Sequence, residues 1–195
     1  MPAHSLTLIT PPAQEPLLLS EIKDYLRIEQ SDLSRDALLY GLIVAGRQYL
    51  DGRDGILNRA LITQTWDLSL PCFPCSDSII IPLPPLQAAP TAPTVKYYNT
   101  VNVETILAAT EYSVDAGSEP GRIVLNYGKY WPTTTLRPLN GVVVRFKAGY
   151  GDTAADVPEK YKLLLQILIA YLHEHPEGEV RLPLAFDSFL YSLRP

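Results

Sequence analysis

Cysteine is nearly absent from this chain. Two occur among 195 residues, Cys72 and Cys75, so the disulfide framework that staples small secreted domains cannot be built. Histidine is almost as scarce, with three copies, and none sits in a His-Glu-x-x-His frame. No Gly-x-Ser-x-Gly elbow occurs either, which removes the common hydrolase signatures. The glycine-containing "AGYGD" at 148–152 lacks the Gly-Lys-Ser/Thr that would cradle phosphate, and reads as a bend between strand and helix.

Basic charge is also short. Sixteen Lys and Arg stand against 21 Asp and Glu, for a net charge of −5. Tight sequence-independent binding to nucleic acid needs the opposite balance. Long apolar runs are missing: the longest, 163–172, is broken by Gln166 and is too short to span a bilayer. The first 16 residues contain no basic segment followed by an apolar one, so no export signal and no membrane association are expected, and a cytosolic product is. Proline is absent between Leu17 and Leu70, yet seven of the 18 prolines crowd residues 71–93. Regular structure should therefore precede and follow a proline-rich middle.

What is present is periodic. Residues 20–27, "SEIKDYLR", read as a short helix capped by Ser20. Ser34 should cap a second helix, with Leu33 and Leu38 as a hydrophobic staple. Its apolar stripe runs through Leu38, Leu39, Leu42, Ile43, Gly46, Tyr49 and Leu50 and stops at "DGRDG", where Gly52 and Gly55 supply terminating conformations. At Leu61 the period switches to two, predicting a strand over 61–70. Further strands are expected at 78–81, 94–98, 111–114, 122–126 and 141–147, each β-branched or aromatic and bounded by turn residues. Asp156 and Pro158 open a helix that is apolar nearly all round from Tyr161 to Leu172. Finally Leu182, Ala185, Phe186, Phe189, Leu190 and Leu193 fall at helical spacing beyond the solvated breaker "HPEGE". Such a helix must pack on its own domain or on a partner.

The fold class that follows is α+β: a small helical bundle (17–58 and 157–176, discontinuous), an inserted antiparallel β module (59–150), and a C-terminal amphipathic docking segment (177–195). Chemistry is thin. Cys72 and Cys75 could join His173 and His175 around zinc, but a single Cys-x-x-Cys is weak support, and histidines at a helix end are favoured by the dipole alone. A redox dithiol would open a helix, whereas "CFPC" runs into turn and strand. The reading is therefore no catalytic residue, no metal and no cofactor. Tyr97, Tyr98, Tyr127, Tyr130 and Trp131 could form a stacking face for a ligand. A carbohydrate-binding β module on a helical base is the alternative function.

Four ordered stretches carry a resemblance. They are "LLLSEIKDYLRIEQSDLSRDALLYGLIVAGRQYLDGRDG", "RALITQTWDLSL" with "IIIPLPPLQ", "VVVRFKAGYGDTAADVPEKYKLLLQILIAYLHEH" and "LPLAFDSFLYSLRP". Together they resemble the head–tail connector (adaptor, head-completion) proteins of long-tailed bacteriophages, prophages and gene transfer agents. The resemblance implies a non-enzymatic virion protein at the head–tail interface. It implies a homo-oligomeric ring, typically of twelve subunits, that binds the portal protein on one side and a tail-side connector or stopper on the other. DNA would pass through its lumen without sequence-specific binding. The terminal segment would reach portal or a neighbouring subunit through Leu182, Leu184, Phe186, Phe189, Leu190, Tyr191 and Leu193, and its removal would leave the fold intact. The "PCFPCSDS" loop departs from the family pattern.

Overall fold

The computed structural model describes residues 4–175 and 184–193. The chain divides into two compact units. Met1–Pro11 and Thr63–Gly149 form a β unit, and Pro12–Ile62 with Tyr150–Pro195 form a helical unit, so the α+β class holds.

In the helical unit, α1 spans Leu19–Leu26. Glu21 Oε2 accepts the Leu18 backbone N–H at 2.7 Å, which makes Leu18 rather than Ser20 the flanking residue. Helix α2 spans Asp36–Leu50, with Arg35 rather than Ser34 as the flanking residue, so it starts one residue later than expected. The reason is local: Asp32 Oδ1 accepts both the hydroxyl and the N–H of Ser34, at 2.6 and 2.9 Å, locking Ser34 into a turn. The Ser34 hydroxyl bond, then its N–H bond, holds the Asp32 carboxyl below its ordinary pKa. Leu33 and Leu38 are both exposed, so the expected staple buries neither.

The α1–α2 loop is pinned by one buried lysine. Lys23 Nζ donates to the carbonyls of Asp32 (2.8 Å) and Gln30 (3.4 Å) and pairs with Asp36 at 2.5 Å. A buried ammonium is tolerated because two carbonyls accept from it and the Asp36 carboxylate balances its charge. Helix α3, Glu159–Glu174, packs on α2. The contact is close at Gly46, where a Cβ would sit 2.9 Å from Leu165 Cδ1. Lys162 of α3 is buried and reaches Glu21 of α1 at 3.0 Å. Helix α4, Leu184–Leu193, packs on α3. One core unites Ile22, Leu39, Ile43, Leu50, Tyr161, Leu165, Leu168, Ile169, Phe186 and Leu190.

Leu61 and Ile62 belong to this core rather than to the strand that follows. Leu61 N–H donates to the buried Asp51 Oδ1 at 3.0 Å, its carbonyl accepts from Tyr150 N–H at 3.1 Å, and Ile62 bridges Gly151. The apolar run is continuous in sequence, but its backbone partners change unit at Thr63.

The β unit contains two antiparallel sheets. The larger runs β1 (Ser5–Thr10), β2 (Gln64–Leu70), β9 (Val142–Ala148), β5 (Thr94–Tyr98) and β6 (Glu104–Ile106), with short β4 (Leu86–Gln87) also on β9. The smaller runs β3 (Ser78–Ile80), β8 (Arg122–Leu125) and β7 (Tyr112–Asp115). Alternation sends Trp66, Leu68, Val144 and Phe146 inward. Asp67 and Arg145, opposite each other on the outer face, form a two-pronged pair with both bonds at 2.8 Å. Strands β1, β4 and β6 were not among the sequence expectations. Only β1, "SLTLIT", shows an alternation that could have revealed it.

Candidate assembly surfaces

The terminal helix comes first, because the sequence reading placed its binding residues there. Phe186 and Leu190 lie one turn apart on α4 and are buried in the helical unit's own core, at 0% and 7% exposure. Phe189 is half-buried against the same core. Tyr191 points to solvent at 73% exposure. Leu184 and Leu193 fall at the two ends of α4, and Leu182 lies outside the described residues. Phe186, Phe189 and Leu190 thus pack on their own chain. The expectation that the segment can be removed without touching the fold is corrected: removal takes two side chains out of the core.

A second surface was misread in sequence. The buried line of α2 is Leu39, Ile43, Gly46 and Leu50. Leu38 and Tyr49, assigned to the same stripe, face solvent with Tyr40. A helix turns 100° per residue, so Leu38 and Tyr49 sit on the flank of that line. The signal was present in "ALLYGLIVAG", ten residues without a charge.

Where the chain re-enters the helical unit, Arg59 is buried between aromatics. It donates to Tyr150 Oη at 2.5 Å and lies 5.9 and 5.6 Å from the Tyr150 and Tyr161 ring centres. Tyr150 in turn donates to Tyr161 Oη at 3.1 Å. Burial, then that bond, pushes the Tyr150 hydroxyl pKa well up, so it stays protonated. This is packing chemistry; no reacting atom is presented.

The cysteines are free and exposed, on the β unit. His173 and His175 belong to the end of α3, where His173 approaches Arg35 at 3.4 Å and His175 stacks on Tyr171 at 4.6 Å. Among the described residues no three His, Cys, Asp or Glu side chains gather in a metal-holding group. The "CFPC" loop is held by its phenylalanine: Phe73 stacks on Trp131 with centres 5.1 Å apart and meets Tyr97 edge-on at 5.7 Å. Trp131 Nε1 also donates to the Ser76 carbonyl at 2.8 Å. Tyr98 donates to Glu104 at 2.6 Å beneath the Arg137 guanidinium, 4.0 Å from its ring centre. Of the five aromatic candidates, only Tyr127 and Tyr130 are left fully presented to solvent, so the expected stacking face is mostly consumed in internal contacts. Charge is uneven as well. The β unit carries six acidic and six basic residues, while the helical unit carries 15 and 10, and so holds the whole net charge of −5.

No protein-family model and no curated protein matches the sequence. Solved structures do. The chain shares its fold with chains of gene transfer agent (GTA) particles. One, in the neck of an empty GTA particle computed with C6 symmetry, matches at a TM-score of 0.77 and 21% identity over 97% of this chain and 95% of that one. Another, in the virion of a native GTA particle, gives 0.76 and 22% over 97% and 94%. A third, in the neck of a native GTA particle computed with C12 symmetry, gives 0.70 and 21% over 97% and 94%. The likeness covers 97% of the chain and so takes in both units.

Proposed function

We propose that this chain is a structural virion protein of the head–tail neck: a ring adaptor that seats on the portal of a DNA-filled head, receives the tail-side connector and extends the DNA channel. The carrying observation is the fold likeness to GTA neck chains over 97% of the chain. In this reading the protein is not an enzyme, and it works in the particle. Rotational symmetry lets many copies of one chain close into a ring by head-to-tail contacts, and avidity multiplies a small surplus per copy.

The docking role of residues 177–195 takes a narrower form than the sequence suggested. With Phe186 and Leu190 inside the core, α4 acts as a seated base. Portal contact then falls to Tyr191 and to Leu182, Leu184 and Leu193. Electron microscopy of the protein mixed with its portal should show a ring of copies on the portal. Tyr191→Ala with Leu182→Ala should weaken portal binding at least tenfold while circular dichroism stays unchanged. An absence of rings would sink the adaptor reading, and unchanged affinity of the double variant would sink the docking assignment.

A further inference from the structure

The outward face of α2 is apolar where a solvated helix should be charged. Leu38, Gly41, Leu42, Ala45 and Tyr49 follow at i, i+3, i+4, i+7 and i+11, which is one stripe. Leu38 is 57% and Tyr49 43% exposed, Gly41 and Ala45 are exposed between them, and Leu42 is half-buried against the core. A Cβ on Gly41 would meet nothing within 4 Å. No charged residue lies between Asp36 and Arg47, although the helical unit as a whole carries 25 charged residues. The opposite face of α2 is already committed to α1 and α3. A helix that is apolar on all sides belongs in a core or an interface, and α2 is far too short to cross a bilayer.

We infer that this stripe is one side of the head-to-tail contact between neighbouring copies of the chain. The inference rests on the ring reading and names its contact. A second copy fits the stripe for three reasons. In a closed ring every copy presents the same surface to the same surroundings, so a face left open on one would be open on all, and copy-to-copy packing covers it in each. Helical units of net charge −5 repel each other, and the approach is least opposed where the facing surface has no charge. The shape also suits a helix: Gly41 and Ala45 form a shallow saddle between Leu38 and Tyr49, which a neighbouring ridge can enter at the usual interaxial distance of about 8–10 Å. Charge depletion with a tyrosine at the margin is the composition of an interface centre.

The test uses full-length protein with its portal. Leu38→Glu with Ala45→Glu changes only exposed positions, so circular dichroism and thermal midpoint should stay at wild-type values while rings on portal are lost. Rings at wild-type occupancy with the double variant would overturn the interface and leave the adaptor reading standing. Absence of rings with the wild-type protein would overturn both. A second measurement covers a variant that fails to fold: Ala45→Cys in a Cys72→Ser, Cys75→Ser background, labelled with a benzophenone maleimide and irradiated in the assembled complex. Crosslinks from position 45 onto another copy of this chain are expected. Crosslinks onto portal alone, or none in a complex that contains rings, would refute the assignment.

Discussion

Replacing Phe186 with alanine tests how the terminal helix is held. Phe186 is at 0% exposure and belongs to the same core as Leu165, Leu168 and Ile169. Removing a buried phenyl ring costs its transfer free energy plus a cavity, about 3–5 kcal/mol. With a urea m-value of about 2 kcal/mol/M, the midpoint should fall by roughly 1.5–2.5 M. The molecule supplies its own pair of probes. Both tryptophans, Trp66 and Trp131, belong to the β unit, while α1 to α4 all belong to the helical unit. Ellipticity at 222 nm therefore reads the helical unit, and tryptophan emission reads the β unit. Phe186→Ala should shift the 222 nm transition by the amount given. Tyr191→Ala, on the same helix but 73% exposed, should stay within about 0.5 kcal/mol of wild type. A Phe186→Ala protein with a wild-type 222 nm midpoint would refute the reasoning, because α4 would then not be seated in the core.

The two glycines of α2 should respond oppositely. Gly41→Ala fills open space in a helix and should stabilise by about 0.5–1 kcal/mol; Gly46→Val, aimed at Leu165 Cδ1, should destabilise by about 1–3 kcal/mol, both read from 222 nm melts. Cys72→Ser with Cys75→Ser alters two exposed, free thiols and should leave stability and assembly unchanged, whereas Phe73→Ala breaks the stack on Trp131 and should shift its emission; loss of folding in the double serine variant would restore a structural role for the thiols. Acid should loosen the turn ahead of α3. Backbone and then hydroxyl bonds from Thr153 hold the Asp156 carboxyl below its ordinary 3.8, so that stabilisation is complete above the ordinary value and disappears as pH falls through the lowered one. Asp156→Asn should show a shallower loss of stability than wild type as pH falls below the ordinary carboxylate range, followed by circular dichroism.

Much of the secondary structure was legible because its signals are local. The switch from period 3.6 to period 2 placed β2, β5, β8, β9, α2 and α3 to within a few residues. The absence of proline across 17–70 marked the helical opening. Local chemistry also explains the slips at helix starts: side-chain bonds at Glu21 and Asp32 move the boundaries by one or two residues. Short β4 and β6 carry no pattern of their own, since two or three residues cannot show a period and pair only because β9 and β5 are already in place.

Sequence alone determined the element types, the acidic balance, the thinness of any catalytic set and a resemblance that the shared fold meets at the level of architecture. It could not decide which apolar surfaces are covered. Leu38 and Leu39 are neighbours of equal hydrophobicity, yet one is exposed and the other fully buried. Phe186 and Tyr191 belong to one amphipathic helix, and one fills the core while the other meets water. Burial depends on what lies opposite, and that is set by contacts between residues far apart in the chain: α3 against α2, α4 against α3, Leu61 against Tyr150. Tertiary structure therefore decided that Phe186 and Leu190 are spent in the core while Leu38 and Tyr49 stay open to solvent.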